Sequence, residues 1–355
     1  MRFYNQQHDY YCGIDLHARI LYVCIIDSAG NTVVHKKVDA NPDALLDTLA
    51  PFQDHIVVGV ECMHCWYWVS DLCLDYAFDF VLGHALYMKA IHGGKTKNDR
   101  IDSYKIASLL RGGNFPLAYV YPKAMRATRD LLRCRTKIMR HGADLKAHVS
   151  NTFSQYNHPA PNLQLRYPYA REEVRNRFNE PAINHNLDID LNVIAFYTKE
   201  LASVEHFIEQ NAKQHNPQDY QLLQTIPGIG RILALTILYE IGNIQRFPTV
   251  QQSNSPTVQQ FASYSRLIKC KAESAGKQYG TNGNKIGNAH LKWAFSEAAV
   301  LYLRGNEKAR KYLNRLQKRM SKAKALSALA HKLGRCVYFM LRNKTVFDEH
   351  KFLPE

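Results

Sequence analysis

Lys95-Thr96-Lys97-Asn98-Asp99-Arg100-Ile101-Asp102 leads directly into Ser103-Tyr104-Lys105-Ile106-Ala107-Ser108-Leu109-Leu110. Ile106, Leu109 and Leu110 recur at helical spacing, which predicts a helix with Asp99 and Asp102 in its first turn. Residues three apart share a helix face, so both carboxylates point the same way. Such a pair can hold a divalent cation. Capping and the helix dipole also favour acids in a first turn, and for the pair alone that is the better explanation. The remainder of the chain decides between the two.

Upstream, Tyr11-Cys12-Gly13-Ile14-Asp15-Leu16-His17 opens a strand-like region that continues through Leu21 to Ile26. Asp27 to Asn31 is a turn and Thr32 to Val38 a second strand, so a hairpin is predicted. Asn41-Pro42-Asp43 starts a helix through Leu49. Ile56-Val57-Val58-Gly59-Val60-Glu61 is a buried strand that ends in an acid, Trp66 to Phe78 is helical, and Asp79 to Gly83 is another strand. Hairpin, helix, strand, helix, strand and the Asp99 helix make an α/β domain with a mixed sheet. Asp15 on a strand, Glu61 at a strand end and the helical pair Asp99 and Asp102 can converge at one sheet edge. At roughly 4 Å and an effective dielectric of about 20, each close pair of carboxylates repels by about 4 kcal/mol. Divalent cations offset this, and oxygen-only ligands select Mg²⁺, with Mn²⁺ as the second choice.

This arrangement resembles the RNase H/RuvC-like nuclease fold. Gly13-Ile14-Asp15, Val60-Glu61 and Lys97-Asn98-Asp99-Arg100-Ile101-Asp102 look more closely like the ordered D-E-D-D motifs of the DEDD transposases. That is the insertion-sequence family "IS-one-ten", which includes the Piv-type DNA invertases. The likeness covers the first third of the chain and extends to the last. There, Glu273-Ser274-Ala275-Gly276-Lys277 and Lys285-Ile286-Gly287-Asn288 resemble the family's Ser-containing, Gly-rich loop followed by Lys-x-Gly-Asn. By position Ser274 matches the family's nucleophilic serine, although a lone loop serine is ordinarily inert. The family's Ser-Gly pair is Ser274-Ala275-Gly276 here. The resemblance implies a DNA transposase or recombinase with Asp15, Glu61, Asp99 and Asp102 on the metal and Ser274 as nucleophile. It also implies DNA as substrate, action as a homo-oligomer (dimer or tetramer), a composite site drawn from two domains and, for some members, a non-coding guide RNA.

Composition agrees with a polyanionic partner. Forty-six Lys and Arg against 31 Asp and Glu give a formal charge of +15, and nucleic acid is the default reading. The apolar runs Ile20 to Ile26 and Ile232 to Tyr239 are too short to cross a bilayer. Met1 to His8 lacks the apolar stretch of a signal peptide, so the expectation is a cytoplasmic protein with reduced thiols. Cys62-Met63-His64-Cys65 beside Glu61 suggests zinc, but no second ligand pair at finger spacing accompanies it, and incidental packing is the better reading.

Three domains are expected: 1–121, the RuvC-like catalytic domain; 122–215, a helical coiled-coil arm; and 216–355, a mainly helical C-terminal domain with a helix-hairpin-helix and a basic tail. The fold class is therefore α/β plus α. In the arm, Leu131, Ile138 and Leu145 step by seven and Val149 follows on the same face. Arg126, Arg129, Arg133, Arg135 and their neighbours make the opposite face basic, and Gly142 weakens the helix. Leu191, Ile194, Leu201, Val204 and Ile208 mark a second long helix. Pro227-Gly228-Ile229-Gly230-Arg231 reads as a hairpin between helices, either an ordinary turn or, as favoured in a basic protein, a phosphate contact by Gly228, Gly230 and Arg231. Pro248-Thr249-Val250-Gln251-Gln252 recurs as Pro256 to Gln260, a local duplication that departs from the family's pattern. The stretch Arg304 to Lys344 holds 13 Lys and Arg, including Lys318 and Arg319, against one acid, Glu307. With Lys277 and Lys285 these are the expected nucleic-acid contacts. Two other readings remain: a RuvC-type structure-selective nuclease with an inert Ser274, and a nucleic-acid-binding protein with a decayed active site.

Overall fold

A five-stranded mixed sheet frames the N-terminal part of the computed structural model, which describes residues 2–91, 98–159, 164–212, 216–247, 257–282 and 286–353. The elements run β1 (Phe3–Tyr4), β2 (Tyr10–Leu16), β3 (Ile20–Asp27), β4 (Thr32–Asp39), α1 (Pro42–Leu49), β5 (Ile56–Glu61), α2 (Trp66–Asp75), β6 (Asp79–Gly83), α3 (Ala85–Ile91), α4 (Asp99–Arg111) and β7 (Phe115–Pro116). Strand order is β4-β3-β2-β5-β6; β2, β3 and β4 are antiparallel, whereas β5 and β6 run parallel to β2. The predicted α/β domain with a mixed sheet is thus present. One expectation needs correction. The region read as one strand from Tyr11 to Ile26 is two strands, folded back on each other between Leu16 and Ile20. Asp15 therefore lies at a strand end rather than in mid-strand.

Period-two alternation divides the sheet into two buried faces. Cys12, Ile14, Leu16, Val58 and Val60 pack with Leu45, Leu49, Trp66, Val69 and Leu72 of α1 and α2. Tyr11, Cys24, Ile26 and Val57 pack with Ile106, Ala107, Leu109 and Leu110 of α4. Two glycines let α4 lie close on this second face. A Cβ at Gly13 would meet the Ser103 carbonyl oxygen at 2.2 Å, and one at Gly59 would meet Leu110 Cδ1 at 2.6 Å.

The chain divides into two compact units, Met1–Lys123 and Ala124–Glu355. The second is largely helical: α5 (Lys123–Gln155), α6 (Pro168–Glu172), α7 (Pro181–Ala212), α8 (Pro217–Gln224), α9 (Arg231–Ile241), α10 (Thr257–Tyr264), the hairpin β8 (Cys270–Ser274) and β9 (Lys277–Asn282), then α11 (Ala289–Tyr302), α12 (Glu307–Gln317), α13 (Lys322–Asn343) and α14 (Glu349–Phe352). In the connector between the two long helices, the short helix α6 begins at Pro168, which supplies a helix-ready φ at its start. The two long helices have cores at both ends of their span. Leu132 and Ile208 belong to the main core around α9, α11 and α13. Val149, Phe153, Leu187, Leu191 and Ile194 form a separate cluster with Val174 and Phe178 of the connector. Gly142 does not break α5. Lys95 to Lys97, Lys285 and the duplicated segment up to Pro256 lie outside the described residues.

Candidate metal centre and nucleophile hairpin

The register of two parallel strands sets the first part of the site. Ile14 pairs with Val60, so Asp15 and Glu61 come next, at the same end of neighbouring strands. Tyr11, Gly13 and Asp15 alternate onto the α4 face, as do Val57, Gly59 and Glu61. Helix α4 runs back along β2 over Gly13, which brings its first turn to Asp15. Asn98, not Asp99, caps that helix: its side chain accepts from the Arg100 N–H at 3.0 Å. The capping explanation for Asp99 therefore falls away. The turn is fastened to the sheet by His35, whose Nε2 lies 2.9 Å from the Arg100 carbonyl oxygen and 3.3 Å from Ser103 Oγ.

Asp15, His17 and Asp99 offer donor atoms that all lie within 4.8 Å of one another, the grouping of this kind found among the described residues. His17 Nε2 is 3.3 Å from Asp15 Oδ2 and 3.6 Å from Asp99 Oδ2. Asp102 stands just outside this group and receives Lys105 Nζ at 3.2 Å. Its charge still reaches Asp15. Burial pushes the Asp15 carboxyl up from the usual range, His17 opposes this, and the charges of Asp99 and Asp102 push it further. Glu61, half-buried at the end of β5, is outside the three-donor group. Of the four acids expected at the site, Asp15 and Asp99 fall within the three-donor group, Asp102 stands outside it and Glu61 lies on the adjoining strand end. The sequence reading passed over His17, although an Asp-x-His step on a strand puts both side chains on one face. It also passed over His35, whose role depends on a contact 65 residues away. The Cys62 to Cys65 cluster forms no metal-ligand group among the described residues.

In the second unit Ser274 pairs with Lys277 across a two-residue turn. Ala275 and Gly276 at its tip have φ of 50° and 73°, the left-handed pair of a tight hairpin turn. The segment expected to be a loop is therefore a hairpin, with Ser274 closing its first strand and an exposed Lys277 opening the second.

The expected nucleic-acid contacts divide into two kinds. Lys318 and Arg319 are exposed between α12 and α13. Gly228 is committed to packing: at φ of 86° it lies so close to α11 that a Cβ would meet the backbone of Leu301 and Tyr302 at 2.7 Å. Arg231 Nη1 donates to Glu209 Oε2 at 2.9 Å, and the groove beside Gly230 and Arg231 is also lined by Glu205 and Glu297. The basic face expected on α5 also turns partly inward. Arg129 and Arg133 donate to Glu240 at 3.1 and 2.6 Å, and Arg135 donates to Glu205 at 2.6 Å.

Two family profiles match the chain. One for transposases of the DEDD type related to IS110 covers residues 12–158. The other, the transposase IS116/IS110/IS902 family, covers residues 220–314. The chain is also similar to the transposase for insertion sequence element IS1111A of Coxiella burnetii (strain RSA 493 / Nine Mile phase I), with 20% identity over 343 residues, 94% of this chain and 90% of that protein.

Proposed function

The chain belongs to the DEDD transposases of the IS110 type, and from that premise we propose that it cuts and rejoins DNA with an acidic metal centre and a serine nucleophile. The observation that carries the reading is the grouping of Asp15 and Asp99 at one sheet end, their donor atoms within 4.8 Å, where burial raises the Asp15 carboxyl and the charges of Asp99 and Asp102 add to the rise. Acids that repel at the end of a sheet, with Asn98 rather than Asp99 capping the helix, suit a divalent cation. Asp15, Asp99, Asp102 and Glu61 would hold Mg²⁺ or Mn²⁺, which when bound polarises the phosphodiester and offsets charge on the attacking and leaving oxygens.

Ser274 Oγ attacks phosphorus, loses its proton and forms the protein–DNA phosphodiester. The deoxyribose oxygen leaves with the bonding pair and takes up a proton. Attack by a strand hydroxyl on the same phosphorus reverses the step, returns the serine and seals the DNA, so bond energy is conserved. The exposed Lys277, Lys318 and Arg319 contact phosphates. Phosphate binding at Gly230 by a helix-hairpin-helix requires Arg231 to exchange Glu209 for the DNA. The paired long helices α5 and α7 serve as a coiled-coil arm in a homo-oligomer, and a guide RNA is the further partner this basic protein can accommodate.

The test is trapping of a covalent adduct. Full-length protein with a DNA carrying the element's end and a divalent cation should give a denaturation-resistant protein–DNA species. Ser274→Ala should abolish it, and Asp99→Asn should reduce cleavage by at least about 100-fold, the scale of losing a transition-state electrostatic partner. Cleavage by Ser274→Ala at the wild-type rate, with no adduct from either protein, would establish a simple metal-dependent nuclease instead.

A further inference from the structure

His17 is held beside the acids by its own turn. Its backbone N–H donates to the Ile20 carbonyl oxygen at 3.2 Å, closing the bend between β2 and β3. Asp15 and His17 are two residues apart on the same side of the chain, and the imidazole is aimed at the carboxylates rather than away from them. Nε2 lies 3.3 Å from Asp15 Oδ2 and 3.6 Å from Asp99 Oδ2. An ion with bonds of about 2.1 Å sets neighbouring ligand atoms roughly 3.0–3.4 Å apart, the edges of an octahedron and a tetrahedron. Both His17 distances stand near that spacing, and all three donors lie within 4.8 Å of one another. About half of the His17 side chain is solvent-exposed, as is about half of that of Asp99, so solvent ions reach the cluster and small rotations suffice to close it.

We infer that His17 is a ligand of the cation bound by Asp15 and Asp99, giving the centre an imidazole nitrogen among its oxygens. The inference rests on the reading of these acids as a metal centre. It has a chemical consequence that a carboxylate-only tetrad lacks. Imidazole nitrogen binds Mn²⁺ more readily than it binds Mg²⁺, which is the harder ion and keeps its waters. His17 therefore tilts the site toward Mn²⁺.

Full-length protein loaded with Mn²⁺, without DNA, tests this by pulsed electron paramagnetic resonance. The wild-type spectrum should carry a directly bound nitrogen-14 coupling. His17→Gln should lose that coupling, and His35→Gln, which alters the neighbouring imidazole, should retain it. By calorimetric titration Mn²⁺ affinity should fall about tenfold or more in His17→Gln, and by more than Mg²⁺ affinity falls, since even groups outside the coordination sphere are worth about tenfold in affinity. Circular dichroism melts identify any variant that has failed to fold. Tight Mn²⁺ binding with no nitrogen coupling, or coupling that survives His17→Gln, would overturn the assignment and leave an all-oxygen centre. Mn²⁺ affinity unchanged in both Asp99→Asn and Asp15→Asn would instead overturn the metal centre itself.

Discussion

Gly13 and Asp15 show how closely packing and chemistry are joined here. Without a side chain at Gly13, α4 rests against the strand backbone, and its first turn reaches Asp15. Gly13→Ala would drive a methyl group into the Ser103 carbonyl oxygen and the Ala107 nitrogen, at 2.2 and 2.4 Å. Neither is the free end of a side chain, so the helix must move. The expected cost is about 1–3 kcal/mol, together with weaker Mn²⁺ binding because Asp99 moves with the helix. A chemical-denaturation curve and a metal titration read both effects; an unchanged affinity would show that α4 does not set the donor spacing. Gly142 is the contrasting case. It lies inside α5, and a Cβ there meets nothing within 4 Å. Gly142→Ala should therefore stabilise the protein by up to about 1 kcal/mol, read as a higher Tm. Sequence alone marks both positions as glycine and cannot tell them apart, because the difference lies in what packs against each.

Helix α9 and helix α5 are joined by a charged contact through the face of α5 that the sequence marks as basic. Glu240 is 1% exposed, accepts from Arg129 and Arg133, and takes a further bond from Asn288 Nδ2 at 2.7 Å. Asn288 also caps α11 through bonds from the His290 and Leu291 N–H groups. One carboxylate thus ties together the base of α5, the middle of the core and the start of α11, just after the serine hairpin. Burial alone would raise its pKa, but the hydrogen bond from Arg133 and the charges of Arg129 and Arg133 outweigh burial, and the net shift is downward. A folded pKa below the unfolded value of about 4.3 adds stability above that value, and the gain is lost as pH falls through the folded pKa. Glu240→Gln should cost about 3–5 kcal/mol near neutral pH, because it leaves guanidinium groups buried without their counter-charge. It should also flatten the acid limb of the Tm–pH curve below about pH 4.3. A variant that loses stability equally at every pH would show that shape, not charge, is what matters at this position. The strands, α4 and the long helices were legible because their periodicity is local. The Arg–Glu240 contacts join residues over 100 apart, and nothing local distinguishes an inward arginine from an outward one. The turn between β2 and β3 was missed for a related reason: His17-Ala18-Arg19 has no Gly, Pro, Asn or Asp to mark it.

The net charge of +15 also means something narrower once the inward cations are removed from the account. Arg129, Arg133 and Arg135 are engaged with Glu240 and Glu205 inside the second unit, and the exposed Arg231 is paired with Glu209. The cations left for a polyanion concentrate in α12, α13 and the bend between them, where Lys318, Arg319, Lys322 and Lys324 are exposed. Counterion release ties each phosphate contact to a slope of about 0.9 in log affinity against log salt on duplex DNA. If Lys318 and Arg319 each neutralise a phosphate, Lys318→Ala with Arg319→Ala should make that slope shallower by about 1.8. The loss of affinity should be similar for DNAs of unrelated sequence, since phosphates carry no base information. Arg135→Ala should leave the slope unchanged, because its guanidinium already serves Glu205. Fluorescence anisotropy across a salt series measures all three proteins. An unchanged slope in the double variant would move the DNA path away from the α12–α13 bend. A slope lowered by Arg135→Ala would mean that DNA binding opens the contact between α5 and α7.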